Sequence, residues 1–451
     1  MTLKRSTFLR HLTILFAAVL MLSLSTLGQT LAETPPMGWN SWDAYGTTVT
    51  EAEVRANADY MATHLKKFGW EYVVVDIQWY EPNAQAGGYR KDALLDMDEY
   101  GRLIPSVNRF PSSAGGKGFK PLADYVHSLG LKFGIHILRG VPRLAAKRKL
   151  PILGTKRKAN DIDDTKDICA WNTDMYGIKM KEKGAQEYYD SIAQLYAEWG
   201  VDFIKADDMT APYHEAEIGA MSKAIKKTGR PMVLSLSPGD TPIEKVSHLK
   251  ANAQMWRISG DFWDKWEDLK KQFERTAKWA KHAQPGNWPD ADMLPLGRIG
   301  IRAEVLPDRQ TRFTKNEQIT MMTLWSIFRS PLMFGGDLPS NDAWTLSLLT
   351  NEKVIAVNQY AQNSRELFNR GDEIGWTADI PDSDDKYLAL FNIGDTAAAN
   401  FKLDCGEVGI VTARCTVTDL WKKTPASAAA SSINAKVNIH GAVLFRIAPA
   451  K

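Results

Sequence analysis

The chain has 451 residues, which is too long for one compact core of ordinary size and predicts two domains. Three of its 56 basic residues lie at the N-terminal end, and the rest of the chain balances acidic against basic residues, so no binding to nucleic acid or to an anionic membrane is predicted. The three cysteines predict neither a disulfide framework nor a metal site, although Cys405 and Cys415 are close enough in sequence to pair.

Residues 1–32 have the pattern of a secretory signal peptide. A basic start precedes an apolar run over residues 12–27, and the segment ends on the small residue Ala32, after which cleavage is predicted. The alternative is an uncleaved anchor, but the run is shorter than the about 20 residues of a membrane span and contains hydroxyl side chains. We therefore expect a secreted or periplasmic protein with no stable membrane association after cleavage.

Residues 33–358 alternate between short apolar runs and amphipathic helical patterns. The helical patterns cover residues 51–68, 185–199 and 263–282. Eight alternating units predict a parallel sheet closed into an α/β fold of the (β/α)₈ TIM-barrel type, with the long loops 82–118 and 143–174 on its catalytic face. The predicted strands are 37–42, 72–79, 132–137, 202–207, 232–237, 254–259, 292–296 and 331–335.

Residues 359–451 lose this helical periodicity. Short alternating runs separated by Gly, Asp and Ser predict a small C-terminal antiparallel β-sandwich domain. The predicted strands are 387–392, 399–403, 409–411, 416–421, 435–439 and 442–447.

The fourth predicted barrel strand ends in Lys205, Asp207 and Asp208. Lys205 and Asp207 are two residues apart, so both side chains point to the same side of the strand. The ammonium of Lys205 favours the ionised form of Asp207, which is the form that a nucleophile needs. Asp208 points to the other side and is predicted to cap the next helix or to serve a neighbouring loop.

A second carboxylate, Asp261, lies just beyond the sixth predicted strand. Its neighbours in sequence are aromatic (Trp256, Phe262, Trp263 and Trp266), and they predict an apolar setting in which a carboxyl stays protonated, as a general acid requires. Arg257 is predicted to donate to a substrate hydroxyl or to hold a carboxylate, the alternative being a salt bridge that fixes the loop. Hydrolysis of a glycosidic bond requires a pair of carboxyl groups in one cleft, and Asp207 and Asp261 are the candidates for that pair.

Aromatic and acidic side chains at other strand ends are candidates for holding a sugar. Indole rings cover the C–H face of a sugar, and carboxylates accept hydrogen bonds from its hydroxyls. The alternative for each is an ordinary place in the core or at a helix cap, and His136 on the third strand is more typical of a structural histidine. The candidates are Trp39, Asp76, Trp79, His136 and Asp292.

The sequence resembles glycoside hydrolase family 27, the melibiase or α-galactosidase family, along nearly all of the predicted mature chain. The segment Pro35-Pro36-Met37-Gly38-Trp39-Asn40-Ser41-Trp42 is similar to the N-terminal signature of that family. The similarity recurs, in order, in 130–135, 202–207, 256–261, 289–293, 330–332 and 351–359.

The resemblance implies a barrel followed by a β-sandwich and a retaining double displacement on terminal α-D-galactosyl residues. It implies that Asp207 is the nucleophile and that Asp261 is the acid/base. Five further residues match family positions that contact the sugar: Trp39, Asp76, Lys205, Arg257 and Asp292.

Several positions depart from the family pattern. Ile77 follows Asp76 where a second aspartate is usual, and His136 stands where a tyrosine is frequent. Ser237-Pro238 replaces a glutamate-tryptophan pair at the position that separates 2-hydroxyl from N-acetyl sugars, so Ser237 is a further candidate for contact with the sugar. Cys169 matches a disulfide-forming cysteine whose expected mate is Met209 here. Activities on β-L-arabinopyranosides, N-acetylgalactosaminides or isomaltosyl chains therefore stay open.

A non-catalytic carbohydrate-binding protein on the same scaffold is the alternative from another functional class. Such proteins usually lose one catalytic acid, and both acids are present here. The sequence contains no phosphate-binding glycine loop, no HExxH motif and no Cys/His cluster, so no cofactor or metal is predicted. The expected partner is an oligosaccharide or a glycoside.

Overall fold

The structure, a computed structural model, describes residues 30–422 and 424–450. The predicted signal peptide lies outside the described residues except for its last three positions. None of the described helices combines the length and hydropathy needed to cross a bilayer.

Eight parallel strands form the predicted barrel. They are paired in the order β7-β6-β5-β4-β3-β2-β1-β8, so each strand lies beside its neighbour in sequence and β1 also pairs with β8. In chain order, β1 to β8 are Met37–Asn40, Tyr72–Val75, Lys132–Leu138, Phe203–Asp207, Val233–Leu236, Met255–Arg257, Trp288–Asp290 and Leu332–Phe334.

Leu294, just beyond β7, closes the barrel. Its N–H donates to the carbonyl of Met333 at 2.8 Å, and its carbonyl accepts from the N–H of Gly335 at 3.0 Å. The predicted seventh strand, 292–296, is wrong: the strand itself is Trp288–Asp290. Asp292 has a φ of +84°, a left-handed conformation that interrupts extended backbone before Leu294.

Helices cover the outside of the barrel, as the periodicity predicts. The helices α1 to α8 are Glu51–Tyr60, Lys120–Ser128, Ala185–Trp199, Glu215–Thr228, Val246–Asn252, Trp266–Trp279, Lys315–Phe328 and Glu352–Tyr360. Further α-helices are Trp42–Tyr45, Arg143–Arg148, Ala159–Ile162 and Ala343–Leu349. Since the strands are buried on both faces, several of them, such as β2 and β5, are largely apolar rather than alternating.

The C-terminal part is antiparallel. Its strands β9 to β15 are Gln362–Arg370, Glu373–Asp379, Lys386–Asn392, Ala399–Asp404, Arg414–Asp419, Ser432–Val437 and Gly441–Ala450. They form a five-stranded sheet, β9-β10-β11-β15-β13, and a two-stranded sheet, β12-β14. The predicted strand at 409–411 is wrong, because the chain there leaves a 3₁₀ turn, Cys405–Val408, through a left-handed glycine.

A disulfide and hydrogen bonds to the barrel stabilise this sandwich. Cys405 and Cys415 form a disulfide within it. Helix α7 of the barrel lies against the larger sheet, where Thr320 donates to the carbonyl of His440 at 2.7 Å and Trp421 donates to Thr323 at 2.9 Å. The hydrophobic core of the barrel continues into this sheet through Trp376.

Candidate active site

A cavity of about 210 Å³ opens at the carboxyl ends of the barrel strands. Both predicted catalytic carboxylates line it. A larger cavity, about 610 Å³, lies at the opposite end, beside the first residues of β1 to β4. Because (β/α)₈ enzymes carry their chemistry at the carboxyl ends of the strands, the smaller cavity is the candidate active site. Its lining residues are Trp42, Asp76, Ile77, Tyr89, Trp171, Lys205, Asp207, Pro238, Asp261 and Glu304.

Asp207 is the last residue of β4, and its environment favours the ionised carboxylate. His136 Nε2 lies 3.1 Å from Asp207 Oδ2. Burial alone would raise the pKa of Asp207, but the hydrogen bond with His136 and the positive charges of Lys205 and Arg257 hold that pKa well below its usual range. The side chain is therefore charged at neutral pH and is 13% exposed to the cavity.

Asp76, just beyond the end of β2, holds the lysine beneath the cavity. Lys205 Nζ donates to Asp76 Oδ2 at 2.8 Å, and Asn40 Nδ2 donates to the same oxygen at 2.7 Å. Burial would raise the pKa of Asp76, yet the nearby ammonium of Lys205 lowers it, so the pair is charged. Both side chains line the cavity, where a charged pair offers a donor and an acceptor to sugar hydroxyls.

Asp261 is in a different setting from the one that its neighbours in sequence predict. Phe262 and Trp263 are buried, but the Asp261 side chain turns outward and is 51% exposed. Arg257 Nη2 lies 3.2 Å from Asp261 Oδ1. The predicted apolar setting is therefore wrong, and the carboxyl instead stands at the mouth of the cavity beside an arginine.

Arg257 is fixed by Asp292. Its Nη1 atom lies 2.9 Å from Asp292 Oδ1, and Asp292 Oδ2 accepts from the N–H of Phe262 at 2.7 Å. These contacts tie the loop that carries Asp261 to the segment after β7. Arg257 and Asp292 are both almost fully buried, and neither is among the residues that line the cavity.

Four other residues predicted to contact the sugar are buried and are not among the residues that line the cavity, so their contact with the sugar stays a prediction. Trp39 and Trp79 are completely buried, and their indole N–H groups donate to the carbonyls of Gly336 and His136, both at 2.8 Å. His136 is also completely buried, and its Nε2 atom lies 3.1 Å from Asp207 Oδ2 and 4.0 Å from Asp76 Oδ1. Ser237 is buried behind Pro238, which forms the wall instead.

Loop residues that sequence reasoning missed complete the cavity. Tyr89 stacks on Trp42 with ring centroids 5.8 Å apart, and Trp171 packs on Tyr89 at 5.3 Å. Tyr89 and Trp171 come from the two long loops predicted on the catalytic face, and Glu304 comes from a hairpin loop after β7. Loops have no hydrophobic periodicity. The sequence therefore indicates which loops lie on the catalytic face, but it does not indicate which of their side chains line the cavity.

Asp208 caps no helix: it belongs to a buried ion-pair cluster around Arg139. The guanidinium contacts Asp208 at 2.8 Å, Glu217 at 2.7 Å and Asp167 at 2.8 Å. Asp167, Glu217 and His214 also bring three donor atoms within 4.8 Å of one another, the one such group among the residues that the structure describes. Since Arg139 already supplies the positive charge there, the cluster fits an ion-pair network better than a metal centre.

Replacing Arg139 with alanine is expected to lower the free energy of unfolding by about 3–5 kcal/mol, because two buried carboxylates, Asp208 and Glu217, lose their partner. Denaturant unfolding measures this loss. Arg298→Ala is the control: it breaks an exposed ion pair with Asp308 and is expected to cost about 1 kcal/mol or less. Equal losses in the two variants would contradict this account of the cluster.

Comparisons with known proteins agree over both parts of the chain. The family model described as "Alpha galactosidase A" matches residues 34–181 and 179–360. The model described as "Alpha galactosidase C-terminal beta sandwich domain" matches residues 371–447. Alpha-galactosidase 2 from Arabidopsis thaliana is 28% identical over 429 residues, which are 92% of this chain and 90% of that protein.

Two bacterial structures are more similar. A GH27 β-L-arabinopyranosidase from Geobacillus stearothermophilus is 53% identical, with a TM-score of 0.91 and coverage of 93% of this chain and 97% of that one. An aspartate-to-alanine variant of that enzyme was solved in complex with arabinose. A Bacillus halodurans protein provisionally assigned as an α-N-acetylgalactosaminidase is 50% identical, with a TM-score of 0.84 and coverage of 94% and 99%.

Proposed function

The chain belongs to glycoside hydrolase family 27, and from that premise we propose that it is a retaining exo-glycosidase that prefers terminal β-L-arabinopyranosyl residues. The observation that carries the proposal is that Asp207 and Asp261 line one cavity at the carboxyl ends of the barrel strands. One carboxylate is buried and held ionised, and the other is exposed at the mouth, so the two are suited to different tasks.

In the first step, the carboxylate of Asp207 attacks the anomeric carbon of the sugar, and the bond from that carbon to the glycosidic oxygen breaks. Asp261 donates its proton to this oxygen, and the leaving group departs as an alcohol. In the second step, Asp261 takes a proton from water, and the water oxygen displaces Asp207 from the anomeric carbon. Two inversions return the original anomeric configuration.

Ile77 supports a pentose as the preferred sugar. β-L-Arabinopyranose and α-D-galactopyranose share their configuration at C1 to C4 and differ by the hydroxymethyl group on C5 of galactose. Ile77 lines the cavity beside Asp76 and offers that hydroxyl no hydrogen-bond partner, so a buried C6 hydroxyl would lose its water without compensation. The likeness to the Geobacillus arabinopyranosidase agrees with this preference.

α-D-Galactosides are the second candidate substrates, because the matching family model and the Arabidopsis relative are both described as α-galactosidases. A panel of p-nitrophenyl glycosides separates the candidates by kcat/KM. We expect the β-L-arabinopyranoside to exceed the α-D-galactoside by about tenfold or more. A preference for the galactoside would contradict the pentose assignment, and sugar binding without turnover would indicate a non-catalytic binding protein.

Replacing Ile77 with aspartate is expected to raise the ratio of galactoside to arabinoside kcat/KM by about tenfold, because the new carboxylate can accept a hydrogen bond from the C6 hydroxyl. The ratio does not depend on the fraction of folded enzyme, so a loss of stability does not obscure it. Ile77→Val keeps the wall apolar and is the matched control. An unchanged ratio in Ile77→Asp would show that this wall does not select the sugar.

We also propose that the protein is exported, because residues 1–32 have the pattern of a secretory signal peptide. An extracytoplasmic site suits an enzyme that acts on glycans too large to be taken up.

A further inference from the structure

Glu304 is a charged residue of the cavity that the mechanism does not use. It lies in the hairpin loop between the short strands Arg298–Ile299 and Arg309–Gln310 and is exposed at the mouth of the cavity. Among the described residues it has neither a hydrogen-bond nor an ion-pair partner. The same segment carries four arginines, and each pairs with another acid: Arg298 with Asp308, Arg302 with Glu53, and both Arg309 and Arg312 with Asp264.

The carboxylate of Glu304 stands near a second acid, Asp261. Partial burial and the nearby negative charge of Asp261 both raise the pKa of Glu304. One of the four arginines would relieve this repulsion if it turned toward Glu304, but all four are held elsewhere. The arrangement therefore leaves Glu304 available to a hydrogen-bond donor that comes from outside the protein.

The position of Glu304 identifies which part of the substrate it faces. The reacting sugar ring belongs next to Asp207, Asp76 and Lys205, at the floor of the cavity. Asp261 protonates the glycosidic oxygen, so the leaving group lies on the Asp261 side. Glu304 is exposed, lines the same cavity and is close enough to Asp261 for the two charges to interact, so we place it on the leaving-group side.

Trp171 also lines the cavity and leaves part of its surface free. The residue is 38% exposed, and Tyr89 packs against its ring at 5.3 Å between ring centroids. A fixed, exposed aromatic face beside an unpaired carboxylate is a combination that suits a sugar ring, which has one apolar face and hydroxyls around its edge.

We propose that Glu304 and Trp171 form the leaving-group subsite and that the natural leaving group is a second sugar unit. Glu304 accepts a hydrogen bond from a hydroxyl of that sugar, and the indole of Trp171 covers its ring. The substrate is then an oligosaccharide or glycan branch that ends in the reacting pentose, rather than a glycoside of an apolar alcohol. This inference rests on the proposed function, since Asp261 defines the leaving-group side.

The test compares two substrates that share the reacting sugar: p-nitrophenyl β-L-arabinopyranoside and a β-L-arabinopyranosyl-galactose disaccharide. Glu304→Ala is expected to lower kcat/KM for the disaccharide by about 10- to 100-fold, the effect of losing a hydrogen bond to a charged group, and to change the nitrophenyl substrate little. Glu304→Gln keeps an acceptor and is expected to lose less. Asp308→Asn removes one negative charge from the same segment, away from the cavity, and is the matched control.

A second readout is independent of how much enzyme is folded. With the nitrophenyl arabinoside as donor and added galactose as acceptor, the glycosyl-enzyme partitions between transfer to galactose and hydrolysis by water. Because the acceptor occupies the leaving-group subsite, Glu304→Ala is expected to lower the ratio of transfer to hydrolysis by about tenfold.

Equal losses on both substrates, or an unchanged transfer ratio, would overturn the assignment of Glu304 to the leaving group. Wild-type inactivity on every nitrophenyl glycoside would overturn the proposed function and this inference together. If the wild type is active and Glu304→Ala changes neither kcat/KM for the disaccharide nor the transfer ratio, this inference alone is overturned.

Discussion

Replacing Asp207 with alanine is expected to lower kcat by about 10⁴-fold or more on every glycoside that the enzyme hydrolyses, because no covalent intermediate can form without its carboxylate. Sugar binding is expected to persist, since Asp76 and Lys205 still line the cavity. Steady-state kinetics and calorimetric binding of arabinose measure the two effects. Activity within about tenfold of the wild type would contradict the assignment of Asp207 as nucleophile.

Azide provides the control for this variant. In Asp207→Ala, azide fits the space that the carboxylate leaves, attacks the anomeric carbon once and expels p-nitrophenolate. A single displacement inverts the configuration, so a β-L-arabinopyranoside is expected to give the α-L-arabinopyranosyl azide. Recovery of this product shows that the variant is folded and has lost only the nucleophile, whereas the opposite anomer would indicate that another residue still attacks the sugar.

Replacing Asp261 with alanine is expected to have an effect that depends on the leaving group. A sugar leaves as an alcohol and needs the proton, so kcat/KM for a disaccharide is expected to fall by about 10²- to 10⁴-fold. p-Nitrophenolate leaves without a proton, so the first step on the nitrophenyl substrate is expected to slow much less. Comparing the two substrates in one variant measures the difference.

Azide is also the control nucleophile for Asp261→Ala, but here we expect the anomer opposite to the one formed by Asp207→Ala. Asp207 is intact in this variant and forms the glycosyl-enzyme, which azide then intercepts. Two inversions retain the configuration, so the product is expected to be the β-L-arabinopyranosyl azide. Equal losses with both leaving groups, or the inverted azide, would contradict the role of Asp261 as acid/base.

The barrel was predictable because its strands are short apolar runs that alternate with amphipathic helical patterns. The seventh strand was misplaced because Pro289 argues against a strand, whereas the apolar residues at 293, 294 and 296 imitate one. In the structure, Trp288–Asp290 pairs with β6, and Leu294 supplies only the closing contact. In the sandwich, Gln362–Arg370 was not predicted because this edge strand is largely exposed and has no apolar alternation.

The two carboxylates of the site were predictable, but their surroundings were only partly so. A strand fixes the direction of its side chains, and so Lys205 and Asp207 share a side. Asp261 lies beyond the end of its strand, where sequence neighbours do not fix orientation: Phe262 packs inward while the carboxyl turns outward. Tyr89, Trp171 and Glu304 reach the cavity through folded loops, whose shape is set by contacts far apart in sequence.

The most direct measurement of the central claim is to trap the glycosyl-enzyme. A fluorinated arabinopyranoside with a good leaving group reacts with the nucleophile but hydrolyses slowly, so the sugar stays attached. We expect mass spectrometry after proteolysis to find the sugar ester on Asp207, with no adduct in Asp207→Ala. An adduct on any other residue, or catalytic turnover that releases the inverted anomer and yields no adduct, would contradict the account.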